Sequence, residues 1–106
     1  MEQRRTRRFK LQLPLAVTRA GTERMTVAGL TKNISSTGVL FTTGRGADLG
    51  GPIEYIITLN HDGVRPVSLR CIGKVLRAER IEENGAGIPG YQVAATLERY
   101  EFVRER

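Results

Sequence analysis

The chain has 106 residues, of which 40% are hydrophobic and 26% are charged, so it is expected to form one folded domain rather than a disordered or collagen-like chain. Its formal net charge of +6 favours an anionic partner. One cysteine excludes an internal disulfide, and the sequence shows no signal-peptide pattern and no apolar run of the roughly 20 residues that cross a bilayer. We therefore expect a cytoplasmic protein without membrane insertion.

Positive charge is concentrated at the start of the chain. Four arginines and one lysine stand among the first ten residues, against a single glutamate. The planar arginine fork binds phosphate, or the acceptor edge of guanine, through two hydrogen bonds. This pattern predicts a flexible arginine-rich arm over residues 1–10, followed by a folded domain over residues 11–106. A solvated basic tail that only aids solubility is the alternative interpretation.

Alternating apolar residues predict strands through the first half of the domain. Leu11, Leu13, Leu15 and Val17 fall on every second position of a first strand. A turn at residues 21–23 leads to a second strand over residues 24–35, in which Gly29 indicates a bulge or sharp bend. A polar corner at 36–38 precedes a third strand at 39–41, and the glycine-rich residues 44–52 predict a loop.

Three more strands are expected in the second half. Apolar residues alternate over 53–60 and 66–81, with a hairpin turn at 60–63 between them. A turn over 83–90 leads to a last strand over 91–97. The final residues, 98–106, contain no turn residues, and we expect a short helix there. The predicted fold class is all-β, a compact antiparallel barrel or sandwich of about six strands with a short C-terminal helix.

Residues suited to catalysis are scarce in this sequence. His61 is the only histidine and lies in a predicted turn, and Cys71 falls on the apolar face of a strand, as a small core residue would. No Ser-His-Asp set or metal-ligand spacing can be assembled, and the glycine-rich loop lacks the spacing and the lysine of a phosphate-binding loop. We therefore expect no enzymatic activity, metal or cofactor.

Two polar clusters remain. Arg4 and Arg8 have RxxxR spacing just before the first strand, and Asn33, Ser35 and Gly38 form an NxSxxG pattern at the corner between the second and third strands. Arginine side chains suit phosphates and the O6 and N7 atoms of guanine. An amide, a hydroxyl and a glycine that permits close backbone approach suit the donor edge and ribose of a purine.

These clusters, with the Arg8–Pro14 run and the GKV of residues 73–75, resemble the PilZ domain, whose signature is RxxxR followed by [D/N]xSxxG. The resemblance spans nearly the whole chain. It implies a six-stranded antiparallel PilZ-type β-barrel that receives the bacterial second messenger cyclic di-GMP. By the same resemblance Arg4 and Arg8 would hold phosphate and guanine edges, with Arg5 as an extra contact, while Asn33 and Ser35 would hydrogen-bond a guanine and Gly38 would let the backbone come near.

The resemblance also implies that the arm closes over the ligand and that the closed state signals to a downstream partner protein. Gln3 stands where an arginine in relatives tends to accompany capture of a stacked ligand dimer, so the stoichiometry is left open. Asn33 replaces the commoner aspartate and gives up a charge-assisted hydrogen bond. Two alternatives are a PilZ-like scaffold that acts without ligand, and a basic barrel that binds nucleic acid, which the small number of aromatic residues disfavours.

Overall fold

The computed structural model describes residues 11–60, 67–81 and 90–104, and they form seven strands. The strands are β1 (Pro14–Ala20), β2 (Glu23–Ile34), β3 (Gly38–Thr43), β4 (Pro52–Asn60), β5 (Val67–Ile81), β6 (Gly90–Thr96) and β7 (Arg99–Arg104). Within these ranges there is no helix long and apolar enough to cross a membrane.

Six of the strands close into an antiparallel barrel. They neighbour one another in the order β4, β1, β2, β3, β6, β5, and an additional pairing between β4 and β5 closes the ring. β7 pairs with the first part of β5, where Cys71 lies opposite Tyr100, and it is not a member of the closed ring. The predicted six-stranded antiparallel barrel is therefore confirmed.

The core consists of the inward-facing residues that alternate along the strands. Phe41 and Tyr55 lie at its centre, with ring centroids 5.6 Å apart, and both are fully buried. The Tyr55 hydroxyl donates a hydrogen bond to the Thr96 carbonyl at 3.1 Å, so its polar end is satisfied. The buried apolar residues are Leu15, Val17, Val39, Phe41, Ile53, Tyr55, Ile57, Cys71, Val75, Val93 and Ala95.

The first strand is shorter than predicted. It begins at Pro14, and Leu11, which we expected on the inward face, has 45% of its surface exposed. The alternation of leucines continues outside the strand, where Leu13 is still partly buried against the core but Leu11 is not.

The prediction of a C-terminal helix over residues 98–106 is wrong for the part that the structure describes. Residues 99–104 form β7 instead. Tyr100, Phe102 and Val103 are aromatic or β-branched residues that favour strands, and the edge of β5 beside them is available for pairing over Val67–Ile72. Residues 99–104 pair with this edge and so form a strand. The edge belongs to a distant segment of the chain and cannot be predicted from the local sequence.

Gly29 does not mark a bulge. The pairing runs through it without interruption, with Leu15 on one side and Thr43 on the other. A Cβ built at this position would lie 2.3 Å from the Thr42 carbonyl oxygen, so a glycine is needed because β3 approaches too closely for a side chain. The predicted turn residues 61–63 and 83–89, and the predicted arm over residues 1–10, lie outside the described residues.

Candidate functional site

Four residues form a row across the outer face of the barrel. Asn33 of β2 pairs with Leu40 of β3, Leu40 pairs with Ala94 of β6, and Ala94 pairs with Arg77 of β5. Neighbouring strands lie about 4.8 Å apart, so the two ends of the row are roughly 14 Å apart. An amide and a guanidinium group therefore stand at opposite ends of a short apolar floor.

Two β-bulges turn the ends of this row outward. Thr31 faces the core, and strict alternation would also turn Asn33 inward, but the register shifts by one residue between them. The same shift occurs between the buried Val75 and Arg77. A bulge reverses the facing of the residues that follow it. Asn33 and Arg77 are therefore outward-facing because of two local irregularities in the ladder.

The row forms the floor of a pocket with a volume of about 180 Å³. Sites that enclose a small ligand usually measure roughly 300–1,000 Å³, so this pocket is suited to covering one side of a larger ligand. Its lining residues are Asn33, Ser35, Thr37, Gly38, Val39, Leu40, Leu76, Arg77, Ala94 and Ala95. A larger depression of about 470 Å³ lies further along β2 and β3, but its charged residue, Lys32, is already hydrogen-bonded to Gln92 at 3.0 Å.

The Ser35 side chain organises the corner between β2 and β3. Its hydroxyl oxygen accepts hydrogen bonds from the backbone amides of Thr37 at 3.2 Å and Gly38 at 3.1 Å. The hydroxyl also donates to the Gly38 carbonyl at 3.1 Å, and the Ser35 amide donates to the same carbonyl at 2.9 Å. This local closure is typical of serine in turns. The sequence analysis assigned Ser35 only to the ligand and missed this structural role.

Gly38 also has a structural reason to be glycine. It is the first residue of β3 and lies opposite Thr96 of β6. A Cβ at Gly38 would lie 3.0 Å from the Ala95 carbonyl oxygen, so a side chain here would press on the neighbouring strand. At Gly38 the backbones of β3 and β6 therefore approach each other closely. This approach keeps the corner between β2 and β3 next to the floor of the pocket.

Arg77 is the charged residue that lines the pocket, and the sequence analysis did not identify it. Within the described part of the chain, the ion pairs join Arg45 to Glu23, and Arg70 to both Glu54 and Glu101, so none of them engages Arg77. A signal was present in the sequence, because the alternation Cys71, Gly73, Val75 resumes at Ala78 and not at Arg77. Such a break in alternation is the sequence trace of a bulge.

Of the predicted ligand residues, Asn33, Ser35 and Gly38 line the same pocket. Arg4, Arg5 and Arg8 lie outside the described residues. Cys71 is fully buried, as predicted for a core residue, and burial raises the pKa of its thiol to about 12. A thiol with that pKa is protonated at neutral pH and is a poor nucleophile. Over the described ranges, no group of three or more His, Cys, Asp or Glu residues is placed to hold a metal ion.

The family comparison agrees with this geometry. The family model described as PilZ domain matches residues 2–102, which is nearly the whole chain. A search of curated proteins gave no match. The matched range includes both polar clusters, all six barrel strands and most of β7.

Proposed function

The chain belongs to the PilZ domain family, and on that premise we propose that it binds cyclic di-GMP on the outer face of the barrel, between Asn33 and Arg77. The family is one of cyclic di-GMP receptors. The observation that carries the proposal for this chain is the pocket that collects Asn33, Ser35 and Gly38 beside an outward-facing arginine. Leu40 and Ala94 supply a floor on which a planar base can rest.

The charge of the ligand requires further cations. Cyclic di-GMP carries two phosphates, whereas Arg77 alone brings a positive charge to the pocket lining of the described residues. Charge-assisted hydrogen bonds from arginine forks are the usual way to hold such groups. We assign this role to Arg4 and Arg8 on phosphate and guanine edges, and to Arg5 as an extra contact.

The direction of β1 supports this assignment. β1 and β2 are antiparallel, with Pro14 opposite Leu30, so each step from Pro14 towards the N-terminus corresponds to a step along β2 towards Asn33. The Thr31 amide donates a hydrogen bond to the Leu13 carbonyl at 3.0 Å, so the two segments remain side by side for one residue beyond Pro14 and Leu30. Arg8 precedes Leu11 by three residues, and its Cα can lie no further than about 11 Å from that of Leu11. Residues 11–13, from which the arm would extend, therefore lie beside the part of β2 that leads to Asn33.

Closure of the arm would make the receptor a switch. Ordering about five residues costs roughly 5–10 kcal/mol of backbone entropy, and each charge-assisted hydrogen bond returns about 1.5–3 kcal/mol. Several of these bonds must form together, so the arm closes only when the ligand is present. The closed arm and the ligand form a surface that a downstream partner protein reads.

Calorimetric titration tests the proposal. We expect cyclic di-GMP to bind at micromolar or lower concentration and cyclic di-AMP, which has the same phosphates but no guanine edge, to bind at least tenfold more weakly. A domain that binds neither would contradict the proposal and favour a scaffold that acts without ligand. Equal binding of cyclic di-GMP and generic single-stranded oligonucleotides, with a steep dependence on salt, would favour the nucleic-acid alternative.

A further inference from the structure

Thr31 is a polar residue in the core whose side chain holds the segment that precedes β1. It is fully buried in β2. Its hydroxyl oxygen accepts a hydrogen bond from the Leu13 amide at 2.8 Å, and the hydroxyl donates to the Leu11 carbonyl. The hydroxyl hydrogen and one acceptor position of this side chain therefore bind residues 11–13, where the arm joins the barrel.

Among the residues that the structure describes, this is the contact nearest in sequence to the predicted arm. β1 begins at Pro14, and the backbone bond from the Thr31 amide reaches only to the Leu13 carbonyl. Leu11 leaves 45% of its surface exposed, so apolar packing holds it weakly. Without the Thr31 hydroxyl, the point at which the chain is fixed would move from Leu11 to Leu13, and two further residues would be free.

We propose that Thr31 is a positioning residue for ligand binding, because it fixes the root of the arginine arm next to the corner that carries Asn33. Thr31 faces the core and does not line the pocket, so it acts through the arm and not by contact with ligand. The inference rests on the proposed function, since it gives the arm its starting point. A fixed root shortens the segment that must become ordered when the arm closes.

Thr31→Val tests this directly. Valine keeps the shape and the strand preference of threonine but removes the hydroxyl. We expect the Leu13 amide of the ligand-free variant to exchange its hydrogen at least tenfold faster, and the affinity for cyclic di-GMP to fall by at least about tenfold. Thr31→Ser keeps the hydroxyl and should retain near wild-type affinity.

Thr43→Val is the matched control. Thr43 is a buried threonine of β3, and its hydroxyl donates to the Ala28 carbonyl at 3.3 Å, away from residues 11–13. We expect this variant to bind cyclic di-GMP as the wild type does, even if its melting temperature falls as much as that of Thr31→Val. If Thr31→Val does not fold, Thr31→Ala and Thr43→Ala make the same comparison.

The two measurements separate failure of this inference from failure of the proposed function. If wild type binds cyclic di-GMP and Thr31→Val binds it equally well, the positioning role is overturned. Unchanged exchange at the Leu13 amide in Thr31→Val would overturn the anchoring contact itself. If wild type binds no cyclic di-GMP, the proposed function fails and the positioning role fails with it, whereas the exchange rates still report whether Thr31 anchors the segment.

Discussion

Arg8→Ala is expected to weaken cyclic di-GMP binding by roughly tenfold to a hundredfold for each charge-assisted hydrogen bond lost. Of the two motif arginines, Arg8 is nearer in sequence to Leu11, the residue that Thr31 anchors. The segment between this anchor and the arginine is therefore shorter for Arg8 than for Arg4. Its loss leaves fewer bonds to offset the ordering of the arm. Calorimetric titration of the variant against wild type measures the change, and the melting temperature of the ligand-free domain should stay the same.

Arg24→Ala is the control for Arg8→Ala. Arg24 is an exposed arginine at the start of β2, opposite Arg19, and it does not line the pocket. The Arg24→Ala substitution removes the same single positive charge as Arg8→Ala, so any effect of net charge alone would appear in both variants. Equal loss of affinity in Arg24→Ala and Arg8→Ala would mean that the arm contributes only general electrostatic attraction.

Gly29→Ala should cause a large loss of stability. The added Cβ would meet the Thr42 carbonyl oxygen at 2.3 Å, and this oxygen belongs to the backbone of β3 and cannot move aside alone. Gly29 lies between β1 and β3, opposite Leu15 and Thr43, so separating the strands would disturb both ladders. We expect at least about 2 kcal/mol of destabilisation, which lowers the melting temperature by roughly 8–16 °C, measured by circular dichroism.

Gly44→Ala provides the comparison for Gly29→Ala. Nothing lies within 4 Å of a Cβ built on Gly44, and its φ is not positive, so this variant should remain within about 0.5 kcal/mol of wild type. The two substitutions add the same methyl group to the same residue type. Melting temperatures that agree to within 2 °C would show that the Thr42 carbonyl does not lie close enough to Gly29 to exclude a side chain.

Much of the barrel could be predicted from alternation alone. The alternating residues Ile53, Tyr55 and Ile57 of β4, and Cys71 and Val75 of β5, share one face of their predicted strands and are buried. Such predictions succeed because each strand of a barrel turns one face to the core and the other to solvent. A shift of one residue in the register would expose all the apolar side chains of the strand. The loop before Pro52 could also be predicted, because its glycines disfavour regular secondary structure.

The features that the sequence analysis missed depend on neighbouring strands. The bulge before Arg77 is defined by its pairing with Ala94, a residue distant in the sequence, so Arg77 was not assigned to the site. β7 pairs with the edge of β5 beside Tyr100, and the local sequence of residues 98–106 does not reveal that this edge exists. Ser35 was identified as a site residue, but its role at the corner required the positions of the Gly38 backbone atoms.

A two-dimensional NMR titration of the ¹⁵N-labelled domain would locate cyclic di-GMP on the face between Asn33 and Arg77. We expect the ligand to shift the backbone amides of residues 33–38, 77, 94 and 95, together with those of the arginine arm. Shifts confined to Tyr100 and Phe102 on β7, or no shifts at millimolar ligand, would contradict it.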